Sequence, residues 1–126
     1  GSSAGTVAKI IGATFGRAAV ANPEYMGIGL ASLDSGMTSQ DLMQLALNAR
    51  LGAGASAAAV VQLLYTNVVG IQPSAAERDG FVDLISRGDF TVASLGMFAA
   101  ESLINQTAIG LTGMMETGLE FIPYGG

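Results

Sequence analysis

Residues 60–106 read VVQLLYTNVVGIQPSAAERDGFVDLISRGDFTVASLGMFAAESLINQ, and the punctuation of this stretch decides the fold. Val60, Val61, Leu63, Leu64, Val68 and Val69 make the first segment apolar nearly all round, the pattern of a buried central helix. Its β-branched content also fits a strand. The helical period of the corresponding segment earlier in the chain decides for helix. Gly70 closes it, since glycine tolerates the left-handed conformation at a helix end. Ser74 followed three residues later by Glu77 is a capping box, in which each side chain satisfies the other's free backbone N–H. Phe81, Leu84 and Ile85 then face the core, while Glu77, Arg78, Asp79, Asp83 and Arg87 stay in water. Gly88 ends that helix. Thr91 starts the next, with Val92, Leu95, Ala99 and Leu103 inward.

Working outward, residues 7–50 repeat this plan about 53 positions earlier, with a middle that drifts by one or two residues, so a small insertion is expected in the first repeat's connector. Ile10 and Ile11 match Leu63 and Leu64, and Thr38, Leu42, Leu45 and Ala46 match Thr91, Leu95, Phe98 and Ala99. Residues 1–5 are expected to be a loose start, with Gly1-Ser2 reading as the scar of a removed tag. Thr6 caps a first helix whose apolar face is Val7, Ile10, Ile11 and Phe15. Gly16 stops it and residues 17–21 connect. Asn22-Pro23 starts a second helix, with Asn as N-cap and Pro at the first position, and Met26, Leu30 and Leu33 on one face. Gly36 ends it. Thr38 starts a third, with Asp41 placed as in a capping box and Leu42, Leu45, Ala46 and Ala49 inward. Residues 52–56 (GAGAS) form a flexible linker. A closing helix over about residues 111–122 carries Met114, Met115, Leu119 and Ile122, and Pro123 stops it. The expected fold is all-α: one domain over residues 6–126, a small bundle of six or seven short helices. It is built from two three-helix repeats (about 6–51 and 57–106), neither of which buries its apolar faces alone.

Composition narrows the function. The chain has 126 residues and a net charge of −5, with no Cys and no His. Disulfides, thiolate metal sites, the usual general base and every Ser-His-Asp triad are excluded. One Lys and four Arg are too few to hold a nucleic acid or an anionic membrane surface. No apolar run reaches the roughly 18 residues of a membrane span, and no signal peptide is visible at the start.

The carboxylates are the remaining acid–base groups. Asp79 and Asp83 share a helix face, but they flank Arg78 and Arg87 and read as a solvated, partly ion-paired surface rather than a catalytic pair held across a cleft. No stretch has the oxygen-rich loop of a calcium site. Arg87-Gly88-Asp89, which spells an integrin-type tripeptide, reads as a helix end and its turn. Gly27-Ile28-Gly29 follows no strand and is no dinucleotide loop. Gly110, Gly113 and Gly118 are expected to permit close helix contact. The methionines read as adaptable core filler, with the Met-rich last helix as a possible interaction face. Candidate ligand contacts are Tyr25 and Tyr124 for stacking and Asn67 and Gln72 for hydrogen bonding. Tyr65 reads as core, its hydroxyl bonded at the edge. No catalytic, metal-ligating or cofactor-binding residues are assigned.

The 60–106 stretch resembles the bacterial domain of unknown function 4214. Its repeats run apolar-Leu-Tyr, Leu-Gly-Arg-x-Pro, a small-residue helix, a Gly turn and a closing helix. Leu64-Tyr65, Val69-Gly70, Pro73 and Ala100-Glu101-Ser102 stand in those places, and Phe15-Gly16-Arg17 does so in the first repeat. Ile71 replaces the Arg in the second repeat, Glu77-Arg78-Asp79-Gly80 replaces the small-residue run, and the family's common Trp is missing. A looser resemblance, through Pro73-Ser74-Ala75-Ala76, Ile104-Asn105 and Leu111-Thr112-Gly113, is to the lipopolysaccharide-anchoring N-terminal domains of alphaproteobacterial S-layer proteins. These resemblances imply an extracellular or cell-surface setting, in S-layer or RTX proteins exported by type I secretion. The expected function is a non-catalytic binding or anchoring module of a secreted or cell-surface bacterial protein. Its expected partner is a surface polysaccharide or a neighbouring protein. The competing reading is a structural or homo-oligomerising spacer.

Overall fold

Six helices are separated by short turns in the computed structural model, which describes residues 3–102, 104–107 and 109–110. They are α1 (Ser3–Phe15), α2 (Pro23–Asp34), α3 (Ser39–Leu51), α4 (Ala57–Val69), α5 (Ala75–Ser86) and α6 (Val92–Ala100). A 3₁₀ turn, Arg17–Ala21, joins α1 to α2, and residues 104–107 and 109–110 are helical again. No strand occurs among the described residues, so the chain is all-α. No helix among them is long and apolar enough to cross a membrane.

Each helix from α2 onward starts at a side-chain cap. Asn22 Oδ1 accepts from the backbone N–H groups of Glu24 and Tyr25. Thr38 accepts from Asp41, Ser56 from Ala59, Ser74 from Glu77 and Thr91 from Ser94. The capping boxes at Ser74–Glu77 and Thr91–Ser94 are closed in both directions. Each cap satisfies N–H groups that a helix leaves without partners. At the other end, α4 stops where Gly70 turns left-handed at φ 93°. Two of the three helix pairs agree in length: α1 and α4 have 13 residues each and α2 and α5 have 12 each, whereas α3 has 13 and α6 has 9.

The repeats meet through equivalent residues. Asn67 Nδ2 donates to the Ala13 and Thr14 carbonyls, both at 3.0 Å, and Thr14 is the position 53 before Asn67. Met43 lies against Gly96, again 53 apart; a Cβ on Gly96 would come within 2.7 Å of the Met43 side chain. Contact between equivalent residues is the signature of a two-fold relation. The two repeats are therefore arranged as an intramolecular pseudo-dimer, with α1 against α4 and α3 against α6.

Several expectations are corrected. The central helix is α1, not α4. It packs against α2, α3, α4, α6 and the 3₁₀ turn, and buries Val7, Ile10, Ile11, Gly12, Ala13 and Thr14. Helix α4 buries Val60, Val61, Leu64 and Val68 but leaves Val69 exposed. Residues 3–5 are not loose, and Thr6 lies inside α1. Glycine in a helix costs about 1 kcal/mol, and the burial of Val7, Ile10 and Ile11 outweighs that cost at Gly5. The connector over residues 17–21 is itself a helical turn. In α3 the buried face is Leu42, Met43 and Leu47, with Leu45 exposed, because α6 approaches at Met43 through Gly96. Helix α5 rests on α4 with Phe81, Leu84 and Ile85 only half-buried. Among the described residues, the close approaches are at Gly12, Gly29 and Gly96, and a Cβ on Gly110 would meet nothing within 4 Å. Leu103, Gly113, Gly118 and the expected closing helix over residues 111–122 lie outside the described residues.

Candidate functional site

Seven large hydrophobic side chains are exposed among the described residues, and six of them line two grooves. Tyr25, Ile28 and Leu45 border the groove of repeat one, over α1 and between α2 and α3. Val69, Phe98 and Ile104 border that of repeat two, over α4 and between α5 and α6. The seventh, Ile71, is in the loop after α4. The grooves are copies of one another. Ile11 and Leu64, Ile28 and Phe81, and Leu45 and Phe98 are each 53 apart and line corresponding walls. Each groove holds about 170 Å³.

Size and lining limit what such a groove can do. A cavity of roughly 150 Å³ takes a benzene-sized group, while pockets for metabolites run to roughly 300–1,000 Å³ with a few convergent polar groups. These grooves are lined almost wholly by carbon. They suit one or two bulky apolar side chains and offer little to a sugar hydroxyl or a phosphate.

The aromatic rings shape the walls. Phe15 and Tyr25 lie with ring centres 5.1 Å apart, Tyr65 and Phe81 at 6.4 Å, and Phe90 and Phe98 at 5.8 Å. Tyr65 is half-buried on the groove wall rather than in the core, while its hydroxyl is bonded at the edge as expected, donating to Glu77 Oε2 at 2.8 Å. Glu77 also accepts from the Ser74 backbone N–H. That backbone bond, then the Tyr65 hydroxyl, holds the Glu77 carboxyl below its ordinary range. The same shared proton raises Tyr65, with desolvation and the carboxylate charge adding to it.

Of the candidate contacts, Tyr25 lines the groove of repeat one. Asn67 lines neither groove, and its amide N–H groups are spent on α1. The Ala13 and Thr14 carbonyls are among the last of α1 and lack helical partners, so Asn67 serves as a C-terminal cap supplied by the other repeat. Gln72 is exposed in the loop after α4. Tyr124 lies outside the described residues. The structure thus does not gather the three described candidates, Tyr25, Asn67 and Gln72, into one site. Reading inner faces from period alone missed Ile28, Leu45 and Phe98 as surface residues. The available signal was that bulky apolar residues stand at Ile28 and Phe81, and at Leu45 and Phe98, in both copies.

The acidic residues form no metal-binding cluster among the described residues. Asp79 pairs with its neighbour Arg78 at 3.3 Å, and Arg87 pairs with Asp89 at 2.9 Å. Arg87-Gly88-Asp89 is the end of α5 and its turn. Fold and grooves together define a small all-helical tandem-repeat module with two apolar surface grooves. No family model, curated protein or solved structure matches the chain.

Proposed function

We propose that this chain is a non-catalytic binding module of a secreted or cell-surface bacterial protein, and that it docks onto a neighbouring protein rather than a glycan. The observation that carries this reading is the concentration of exposed bulky hydrophobics around the two grooves. Water-exposed apolar surface gathered in one place is the usual mark of a protein contact, and groove volume matches a protein side chain better than a sugar. The absence of His and Cys supports a non-catalytic role. The extracellular setting rests on the resemblance to domain of unknown function 4214 and to S-layer anchoring domains. Self-association as a spacer is the second reading, favoured by the same apolar surfaces.

The test is a photo-cross-linking residue at position 28, placed in the full-length protein in its own cells. A protein adduct that is lost with Leu45→Asp supports the reading. Saturable titration heat with purified surface polysaccharide, and no protein adduct, overturns it in favour of anchoring to glycan. An adduct to a second copy of the chain, with concentration-dependent mass in solution, supports the spacer.

A further inference from the structure

We propose that the helical residues 104–107 and 109–110 are a movable wall of the groove of repeat two, latched onto α1 by Asn105, and that filling this groove and closing the latch favour one another. The groove of repeat one is lined entirely from α1, α2 and α3. The groove of repeat two is lined from α4, α5 and α6, and in addition by Ser102 and Ile104. Repeat one has no counterpart to this addition, because the chain after α3 passes through residues 52–56 directly into α4.

The added wall is held mainly by polar contacts. The Asn105 side chain is buried, and its Nδ2 donates to the Ala100 carbonyl at 2.9 Å and to the Lys9 carbonyl at 3.1 Å. The first bond closes the end of α6, where carbonyls lack helical partners. The second crosses to α1. Lys9 lies inside α1, where its carbonyl already has a helical donor, so α1 does not need the amide. Beside it Lys9 Nζ and Glu101 Oε2 pair at 3.2 Å, both side chains partly exposed. Gly12 leaves the room in which Asn105 and Ile109 approach α1. Among the described residues, nothing after Ala100 belongs to the hydrophobic core.

Such a seat costs little to leave. An amide that exchanges carbonyls for water loses only the small net worth of its hydrogen bonds, and an exposed ion pair adds little. Segments with few buried apolar contacts open locally while the rest of the fold stays closed. Asn67 also reaches α1 from the other repeat, but there α1 and α4 share buried Val7, Ile10, Leu64 and Val68 as well. Opening at Asn105 therefore leaves the bundle intact and takes Ile104 from the groove edge. An apolar side chain lying in the groove touches Ile104 in the closed state alone, so it binds that state more tightly and shifts the population toward it. By reciprocity, a closed latch strengthens the binding. The coupling goes beyond the partner proposal and holds whichever protein supplies the side chain.

Hydrogen exchange on the full chain tests it. Asn105→Ala should speed exchange over residues 105–110 by about tenfold, the scale of lost amide bonds, while α1 and α3 stay protected. Unchanged exchange there overturns the latch, and so does a rise shared by the whole chain. A second arm leaves Asn105 in place. The chain has no cysteine of its own, so Val69→Cys, at the edge of this groove, is coupled to benzyl methanethiosulfonate and compared with its methyl counterpart. A groove of about 170 Å³ has room for a benzene-sized group. The benzyl adduct should slow exchange over residues 105–110 by about fivefold. The same adduct on Leu45→Cys, at the groove of repeat one, should leave it unchanged. No slowing from position 69, or equal slowing from position 45, overturns the coupling. Neither arm depends on the adduct at position 28.

Discussion

Gly12 in α1 and Tyr65 in α4 belong to corresponding helices of the two repeats, and their surroundings differ. At Gly12 the chain after α6 comes in so close that a Cβ would lie 2.6 Å from Ile109 Cγ2. Helix α1 is thereby covered on a further side and becomes the centre of the bundle. On α4 the Tyr65 ring packs edge-on against Phe81 and bonds Glu77. Among the described residues, helix α4 is left as the floor of an open groove. A duplicated motif does not give duplicated environments; the path of the chain after α6 decides which copy of the first helix it covers.

The hardest test of the two-fold relation is to exchange the pair on its axis. Met43 is fully buried and fills the space that Gly96 leaves. Met43→Gly alone is expected to cost about 2–5 kcal/mol as a core truncation. Gly96→Met alone should cost about 1–3 kcal/mol through overpacking. Because the positions are equivalent, the double exchange puts the same side chain opposite the same gap. Urea denaturation should show it less destabilised than the sum of the singles by about 1–3 kcal/mol, the range for residues in contact. Simple additivity would mean that the two sides are not interchangeable.

A direct break of the opening comparison is Gly12→Tyr, which puts a ring where the chain after α6 lies on α1. The new ring collides with Ile109 and Asn105. Stability should fall by about 1–3 kcal/mol, and limited proteolysis should move to the chain beyond residue 102, whose seat on α1 is lost. Unchanged cleavage would show that the contact at Gly12 does not hold that stretch. Asn67→Ala is a gentler probe, since it removes the cap that one repeat lends to the other. About 1 kcal/mol is expected for the lost bonds to the Ala13 and Thr14 carbonyls. Thr14→Ser, which keeps the carbonyl and its own hydroxyl bond to Ile10, should leave that cross-repeat contribution intact.

How much of this was legible beforehand follows from the range of each signal. Caps act over three residues, so Asn22, Thr38, Ser74 and Thr91 could be placed as helix starts from the chain alone, and Thr38 and Thr91 already showed the repeat. Burial depends on what arrives from elsewhere. The apolar surround of α4 read as the mark of a central helix, but only the path of the chain after α6 makes α1 the centre. Leu45 and Phe98 satisfied the helical period of an inner face, yet the α3–α6 contact forms through Met43 and Gly96 and rotates them to the groove. Asn67 read as a ligand contact because a side-chain amide near a turn has many uses, and its actual partners lie 53 and 54 residues away. The grooves were not legible at all, since their walls come from three helices at once.

The smallest expected effect sharpens the same comparison through pH. Glu24 and Glu77 both lie in the first turn of corresponding helices, but it is Glu77 that a tyrosine hydroxyl bonds among the described residues. The Glu77 carboxyl is held below its ordinary value of 4.5 by the Ser74 N–H and the Tyr65 hydroxyl. Its contribution to stability is therefore present above that ordinary value and is lost as pH falls through the lowered one. Tyr65 is shifted the other way, above 10.0. Its contribution is complete below 10.0 and is lost as pH rises through the raised value. The Tyr65–Glu77 bond should accordingly stabilise α5 on α4 across the whole interval between those limits. The Tm difference between the unmodified chain and Glu77→Gln should be level through neutral pH and narrow at both ends. The pair is exposed, so the difference should amount to only a small shift in Tm. Glu24→Gln supplies the control, because no tyrosine hydroxyl bonds Glu24 among the described residues: its difference should not narrow at high pH. An alkaline narrowing in the Glu24 variant as large as that in the Glu77 variant would mean that the effect comes from general charge rather than from the tyrosine that only repeat two possesses.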